Sequence, residues 1–320
     1  MKPFFRTTVP FRRVRRAAFS LVEILVTVAL LSFIVLGLLA MFHQTQRAFR
    51  SSITQTDVLE AGRALTDLVG RELEQMRPCP APYSVNGNLW FSTNFFAEIA
   101  PGFNQPLLQD LPGVNALRTN LVQRFFFLIR ENQTWEGIGY QVLPEADNSG
   151  VGTLYRFHAT APLRHGPILS GMFRDQAAIA RQNVLLQQPV TNLSRMVDGV
   201  VHLRVRAFAT NGFVLTRYNG TNGFWVPPAA NKAAEFIPVP NTAVFASPLD
   251  SEQVACYFVS NAVPAFVELE LGMLEPQVLQ RYRALGSPEA QRSFLSNRVA
   301  QVHLFRQRIP IRNVDFQVYQ

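Results

Sequence analysis

The segment Arg15-Arg16-Ala17-Ala18-Phe19-Ser20-Leu21-Val22-Glu23-Ile24-Leu25-Val26-Thr27-Val28-Ala29-Leu30-Leu31 joins a basic leader to an apolar run, and its reading decides the fold. From Ile24 to Phe42 there are 19 residues without a formal charge, dominated by Leu, Val and Ile. At a rise of about 1.5 Å per residue, such a helix covers roughly 28 Å, close to the hydrocarbon thickness of a bilayer. The run therefore predicts a membrane-spanning helix. Glu23 stands out against it, since a carboxylate entering an apolar helix costs on the order of 2–4 kcal/mol unless something compensates it. An acid at the membrane interface can reach water, and an acid facing a cationic partner can pair.

Charge supports the same topology. The chain has a net charge of +8, and Lys2, Arg6, Arg12, Arg13, Arg15 and Arg16 supply six of those charges ahead of Phe19, with no acid among them. The basic balance thus marks a cytoplasmic flank and gives little reason to expect a nucleic-acid partner. The apolar run exceeds the 7–15 residues of an ordinary signal-peptide core. Its one small-residue site, Leu38-Leu39-Ala40, puts Leu where such a peptidase needs a small side chain. The bulk of the chain is expected outside the cytoplasm.

Basic residues, a small residue, Phe19, Ser20, Leu21, Val22, Glu23 and then the apolar helix resemble the N-terminal segment of type IV pilins and type II secretion pseudopilins. The resemblance implies cutting between Ala18 and Phe19 by a prepilin peptidase, which also methylates the new Phe19 amine. It implies that Glu23 sets the register of assembly by pairing with the Phe19 amine of a neighbouring subunit. It implies as partners the peptidase/methyltransferase, other pilin-like subunits, an inner-membrane assembly platform and the membrane itself. A single-pass inner-membrane protein with a periplasmic C-terminal domain, extractable into a filament, follows from it. Two departures stand: Ala18 occupies the place where the family usually has Gly, and no Pro occurs between Pro10 and Pro78 to kink the helix. Met196–Arg206, Asn261–Leu271 and Arg71–Gln75 are also similar to short segments of the pseudopilin J subfamily.

Beyond the apolar run, Phe42, Phe49, Ile53, Ala61, Leu65, Leu68, Leu73 and Met76 recur at helical spacings, so the helix is expected to continue as an amphipathic segment over residues 43–77. Glu60 with Arg63 and Asp67 with Arg71 support it, and Pro78 and Pro80 end it. Gly62 and Gly70 are candidate points of bending. Residues 78–320 read as a β-rich globular domain. Strand-like runs at Arg124–Ile129 and Gly137–Leu143 form a hairpin, and others lie at Thr153–Ala159, Val200–Ala209, Phe213–Tyr218, Val254–Val259 and Ala265–Leu271. Arg174–Gln187 is helical in pattern, Ser287-Pro288-Glu289 opens a further helix to about Arg298, and Val302–Val318 is a last strand or an arm. Residues 78–120, with a short strand near Leu89–Phe91, and 219–249 read as loops. One long helix followed by runs of strands gives an α+β fold with an antiparallel sheet.

Candidate chemistry is sparse. Cys79 follows the helix and Cys256 sits in an apolar strand, so a long-range disulfide and two buried thiols both remain open. No CxxC or histidine cluster marks a metal, and no P-loop, HExxH or GxSxG marks an enzyme. His158, His165 and Asp147 lack a third placed ligand, and Asp147-Asn148-Ser149-Gly150 is explained as a turn without calcium. Phe125-Phe126-Phe127 suits core packing better than a ligand grip. Trp90, Trp135 and Trp225 lie near loops. Glu136, Glu268 and Glu270 are carboxylates with no partner that spacing identifies. Arg292, Arg298, Arg306, Arg308 and Arg312 could form a basic face for a tip-binding role. The expected product is a non-enzymatic, cofactor-free filament subunit, of low copy and near the tip, with a binding module or a simple anchored protein as the alternatives.

Overall fold

The computed structural model describes residues 20–79, 83–85, 88–90, 93–111, 113, 116–145, 149–215, 242–246 and 253–315. The chain divides into two units, residues 1–53 and 54–320. One helix, α1 (Leu21–Glu74), contributes to both.

In the first unit every described side chain from Ser20 to Arg50 is exposed. This stretch has one helix long and apolar enough to cross a membrane. In the second unit the same helix becomes one-sided. Val58, Gly62, Leu65, Thr66, Val69, Gly70, Leu73 and Met76 are buried, at spacings of three and four that trace one stripe. That stripe differs from the expected one: Ile53 and Leu68 stay exposed, while Val58 and Val69 take the inward positions. The helix continues through Gly62 and Gly70. A Cβ at Gly62 would lie 2.2 Å from the Phe305 ring, so the residue serves close packing.

After α1 come β1 (Tyr83–Val85) and β2 (Asn88–Trp90), which pair as a hairpin, and then β3 (Thr93–Ile99). β4 (Leu107–Asp110) and β5 (Leu117–Asn120) form a second hairpin. β6 (Gln123–Glu131), β7 (Thr134–Pro144) and β8 (Gly152–Pro162) follow in a meander. α2 (Leu169–Leu185) leads to β9 (Ser194–Phe208), then β10 (Thr242–Ala246), β11 (Gln253–Val259) and β12 (Phe266–Leu274). α3 (Pro276–Arg283), α4 (Pro288–Ser296) and β13 (Val302–Pro310) complete the described elements.

Nine of these strands make one sheet in the order β10-β11-β3-β6-β7-β8-β9-β12-β13, with every pairing antiparallel. The α+β expectation with an antiparallel sheet is met. Strand β3 was not expected, because its run Thr93-Asn94-Phe95-Phe96-Ala97-Glu98-Ile99 lies in a Pro-, Asn- and Gly-rich neighbourhood. It is buried on both faces between β11 and β6, where a strand reads as a continuous apolar run. Among the described residues of the tail, Val302–Pro310 is a strand, and of Phe213–Tyr218 the described part forms a single bridge at Val214.

Alternation along β6 divides the core. Phe125 and Phe127 point to the face that receives α1, with Val69, Leu73, Val205 and Val267. Phe126 and Leu128 point to the other face, where α2 packs through Leu169, Phe173, Ala177 and Ala180. The three consecutive phenylalanines, each no more than 1% exposed, are core residues of both layers. α2 can sit close because β7 presents Gly137 and Gly139 beneath it: a Cβ on Gly139 would come within 2.5 Å of the Phe173 ring. A third cluster under α3 and α4 gathers Leu107, Val201, Leu274, Leu279, Tyr282 and Leu295. Ser287 caps α4 by accepting from the Ala290 N–H at 3.2 Å, with Pro288 in the first turn, as its sequence predicts.

Candidate functional site

Glu23 lies in the first turn of α1. The Ser20 hydroxyl accepts from the Val22 N–H at 3.3 Å, and the Glu23 carboxylate accepts from the Ser20 N–H at 3.0 Å. This resembles a capping box: the helix start satisfies two of its own orphan donors, and the carboxylate sits at the positive end of the helix dipole. Ser-x-x-Glu ahead of an apolar run is the sequence signal for this arrangement, and it explains the acid locally. Only one carboxylate oxygen is used in that bond, so the other is open to a further donor. Ala18 and Phe19 lie outside the described residues.

Further along, the polar side chains of the apolar run turn inward to the helix backbone. Thr27 donates to the Ile24 carbonyl at 2.9 Å and Ser32 to the Val28 carbonyl at 2.8 Å. Both hydroxyls are thereby satisfied without water, as a low-dielectric setting demands.

The second half of α1 is held by charge as well as packing. Glu72 receives the Tyr140 hydroxyl at 2.5 Å and the Arg156 guanidinium at 2.7 Å, tying the helix to β7 and β8. Glu74 pairs with Arg312, and the Asn313 amide donates to the Met76 carbonyl at 3.0 Å, so the chain after β13 closes the helix end. Burial, with Glu72 beside it, pushes the Tyr140 phenol far above its usual range, so it stays a donor.

Glu268 and Glu270, without assignable partners in the sequence, meet cations from both flanking strands. Register places Arg206 and Arg308 beside Glu268, and Arg204 and Arg306 beside Glu270. Arg206 reaches Glu270 at 2.6 Å and Arg306 reaches Glu268 at 2.7 Å. His202 is 3% exposed; its Nδ1 accepts from the Leu121 N–H at 3.2 Å, which leaves Nε2 as the donor to Glu270 at 3.3 Å. Burial lowers the His202 pKa, opposed by its bond to Glu270 and reinforced by Arg118. Burial acts to raise Glu270, but the His202 hydrogen bond and the charges of Arg206 and Arg204 outweigh it and bring the pKa to about 2. The arrangement is an ion network that ties β9, β12 and β13 together.

No protein family, curated protein or solved structure matches the chain.

The remaining candidates resolve into structural roles. Cys79 and Cys256 are both buried, and they lie in cores on opposite faces of the sheet. The disulfide option is therefore not realised. His158 pairs with Glu136 at 3.3 Å across β7 and β8, not with His165, and no metal-holding group of His, Cys, Asp or Glu occurs among the described residues. Asp147, Asn148 and Trp225 lie outside the described residues, as does the side chain of Trp90. Trp135 is 4% exposed and belongs to the core under α2.

Each of the five arginines has a contact within the fold. Arg292 donates to the Pro106 carbonyl, Arg298 covers the Phe294 ring and Arg306 serves the ion network. Arg308 lies over the rings of Phe208 and Phe266 at 4.2 and 4.7 Å, and Arg312 holds Glu74.

Proposed function

We propose that this protein is a pilin-like structural subunit. It is held in the inner membrane by the first half of α1, trimmed before Phe19 and assembled through that helix into a type IV pilus-like or type II secretion filament. The observation that carries the reading is the pairing of one acid, Glu23, with the charge-free and wholly exposed apolar run Ile24–Phe42 of α1. A helix apolar all round belongs in lipid or among other helices, not in water. Glu23 suits transfer between those two settings. Its cap offsets part of the carboxylate's desolvation, and its open oxygen can receive a neighbour's N-terminal amine. The second unit, anchored on the rest of α1, is the part displayed outside the membrane. Its bulk suits a low-copy position near the tip.

The test is the intact mass and N-terminal residue of the protein extracted from its native membrane. An N-methylated Phe19 start is the expected result. A start at Met1 makes the helix a plain anchor, and a start near Met41 makes the chain a secreted protein; either outcome overturns the proposal. Glu23→Ala sharpens it: incorporation into the filament should fall at least about tenfold while the protein still accumulates in the membrane.

A further inference from the structure

Three parts of the chain meet beyond the last turn of α1. Arg77 and Pro78 follow the helix, Arg130 and Trp135 stand opposite each other across the β6–β7 hairpin, and Asn313, Val314 and Asp315 follow β13. Together they line a cleft of about 480 Å³. Clefts of roughly 300–1,000 Å³ with a few placed polar groups are the usual seats of small ligands.

The backbone brings the two arginines to one side. Met76 bridges Ile129 in the antiparallel sense, and the Arg77 N–H donates to the Leu128 carbonyl at 2.9 Å. Arg77 therefore lies opposite Leu128 and diagonal to Arg130. Diagonal neighbours stand about 7–8 Å apart, within reach of long side chains. The Asn313 amide, donating to the Met76 carbonyl at 3.0 Å, fixes the third wall.

Both arginines are exposed and have donors to spare. The Arg77 guanidinium has no hydrogen bond or ion pair among the described residues, and Arg130 commits only its Nε, to the Asn132 carbonyl at 3.4 Å. The Arg130 guanidinium is 6.0 Å from the centre of the Trp135 ring. Trp135, 4% exposed, together with Pro78 and Val314 gives the cleft an apolar lining. Asp315 adds one acid, whose Oδ2 accepts from the Asn261 amide at 3.3 Å.

We propose that this cleft binds the C-terminal carboxylate of a peptide that ends in an apolar residue. Two guanidinium groups on one side suit a single carboxylate, through charge-assisted hydrogen bonds. Asp315 selects against ligands of higher charge, because a phosphate or a nucleic-acid strand would bring its further charges against this acid. The apolar lining separates a chain end from an acidic side chain. At a chain end the carboxylate and an apolar side chain leave the same carbon, so one residue serves both the arginines and the lining. An Asp or Glu side chain supplies the charge alone. The site is independent of filament assembly.

The test is calorimetric titration of the full-length protein, purified in a nonionic detergent, with acetyl-Ser-Val-Leu bearing a free carboxylate. Saturable binding is expected. The same peptide as its C-terminal amide, acetyl-Glu amide and inorganic phosphate should each bind at least about tenfold more weakly. Arg77→Gln and Arg130→Gln should each weaken the acid by about tenfold, and Asp315→Asn should tighten it about twofold. Both arginines are exposed, so the melting temperatures of their variants should match the parent and separate binding from folding. No binding of the acid, equal binding of the amide, tighter binding of acetyl-Glu amide or phosphate, or an affinity indifferent to both arginine variants overturns the proposal.

Discussion

The two halves of α1 obey different rules within one unbroken helix. From Ile24 to Phe42 the helix is uncharged and mostly apolar on all sides, and exposed; after Thr54 it is apolar on one side, and that side is closed. The first half makes its polar contacts to its own backbone, through Ser20, Thr27 and Ser32. The second also makes them to distant parts of the chain, through Glu72 to β8 and Glu74 to Arg312 after β13. Helical propensity alone does not separate these halves. What separates them is what each is built to touch, and the arrangement of polar residues records it.

Mutations should break the symmetry between the halves in proportion. Leu73 is 0% exposed in the α1 core, so Leu73→Ala should cost about 2–5 kcal/mol in denaturant unfolding of the second unit. Glu72→Ala leaves the Tyr140 hydroxyl and Arg156 without their acceptor and should cost about 1–3 kcal/mol in the same measurement. Gly62→Ala forces the Phe305 ring to shift and should cost about 1–3 kcal/mol, where a helix-propensity argument would expect a gain. Leu30→Ala in the first half, 58% exposed, should change that unfolding free energy by less than about 0.5 kcal/mol. An equal loss from Leu30→Ala and Leu73→Ala would erase the distinction between the halves.

The ion network adds a pH signature to the second unit alone. His202 is held neutral, so as pH falls below its ordinary 6.5 the unfolded chain takes up a proton that the fold resists, and stability declines. Glu270, lowered from 4.5 to about 2, contributes stability that is present above pH 4.5 and lost as pH falls through that interval. Thermal melts between pH 7 and 2 should show both declines, and Glu270→Gln should flatten the lower one.

The fold was legible where its signal was local. The apolar run, the amphipathic continuation, the β6–β7 hairpin and the Ser287 cap each carry their pattern within a few residues. β3 was not, because a strand buried on both faces loses its alternation and here lies among turn-forming residues. α3 went unnoticed although Val278, Leu279 and Tyr282 form its buried side, since eight residues opening on Pro276 give a short signal. The partners of Glu268 and Glu270 were out of reach for another reason. They come from β9 and β13, and only strand register brings them together. Glu23 is the converse case: its position was conspicuous, and the local cap that explains part of it was written in the same four residues.

The separation of Cys79 and Cys256 by the sheet has a consequence for how the protein is made. Burial raises the Cys256 thiol to about 12, so it carries almost no thiolate at neutral pH and is a poor substrate for exchange. A fold that keeps its two thiols buried on opposite faces of the sheet needs no oxidant to join them. This fold is thereby reached without a disulfide between Cys79 and Cys256, whatever the redox state around it.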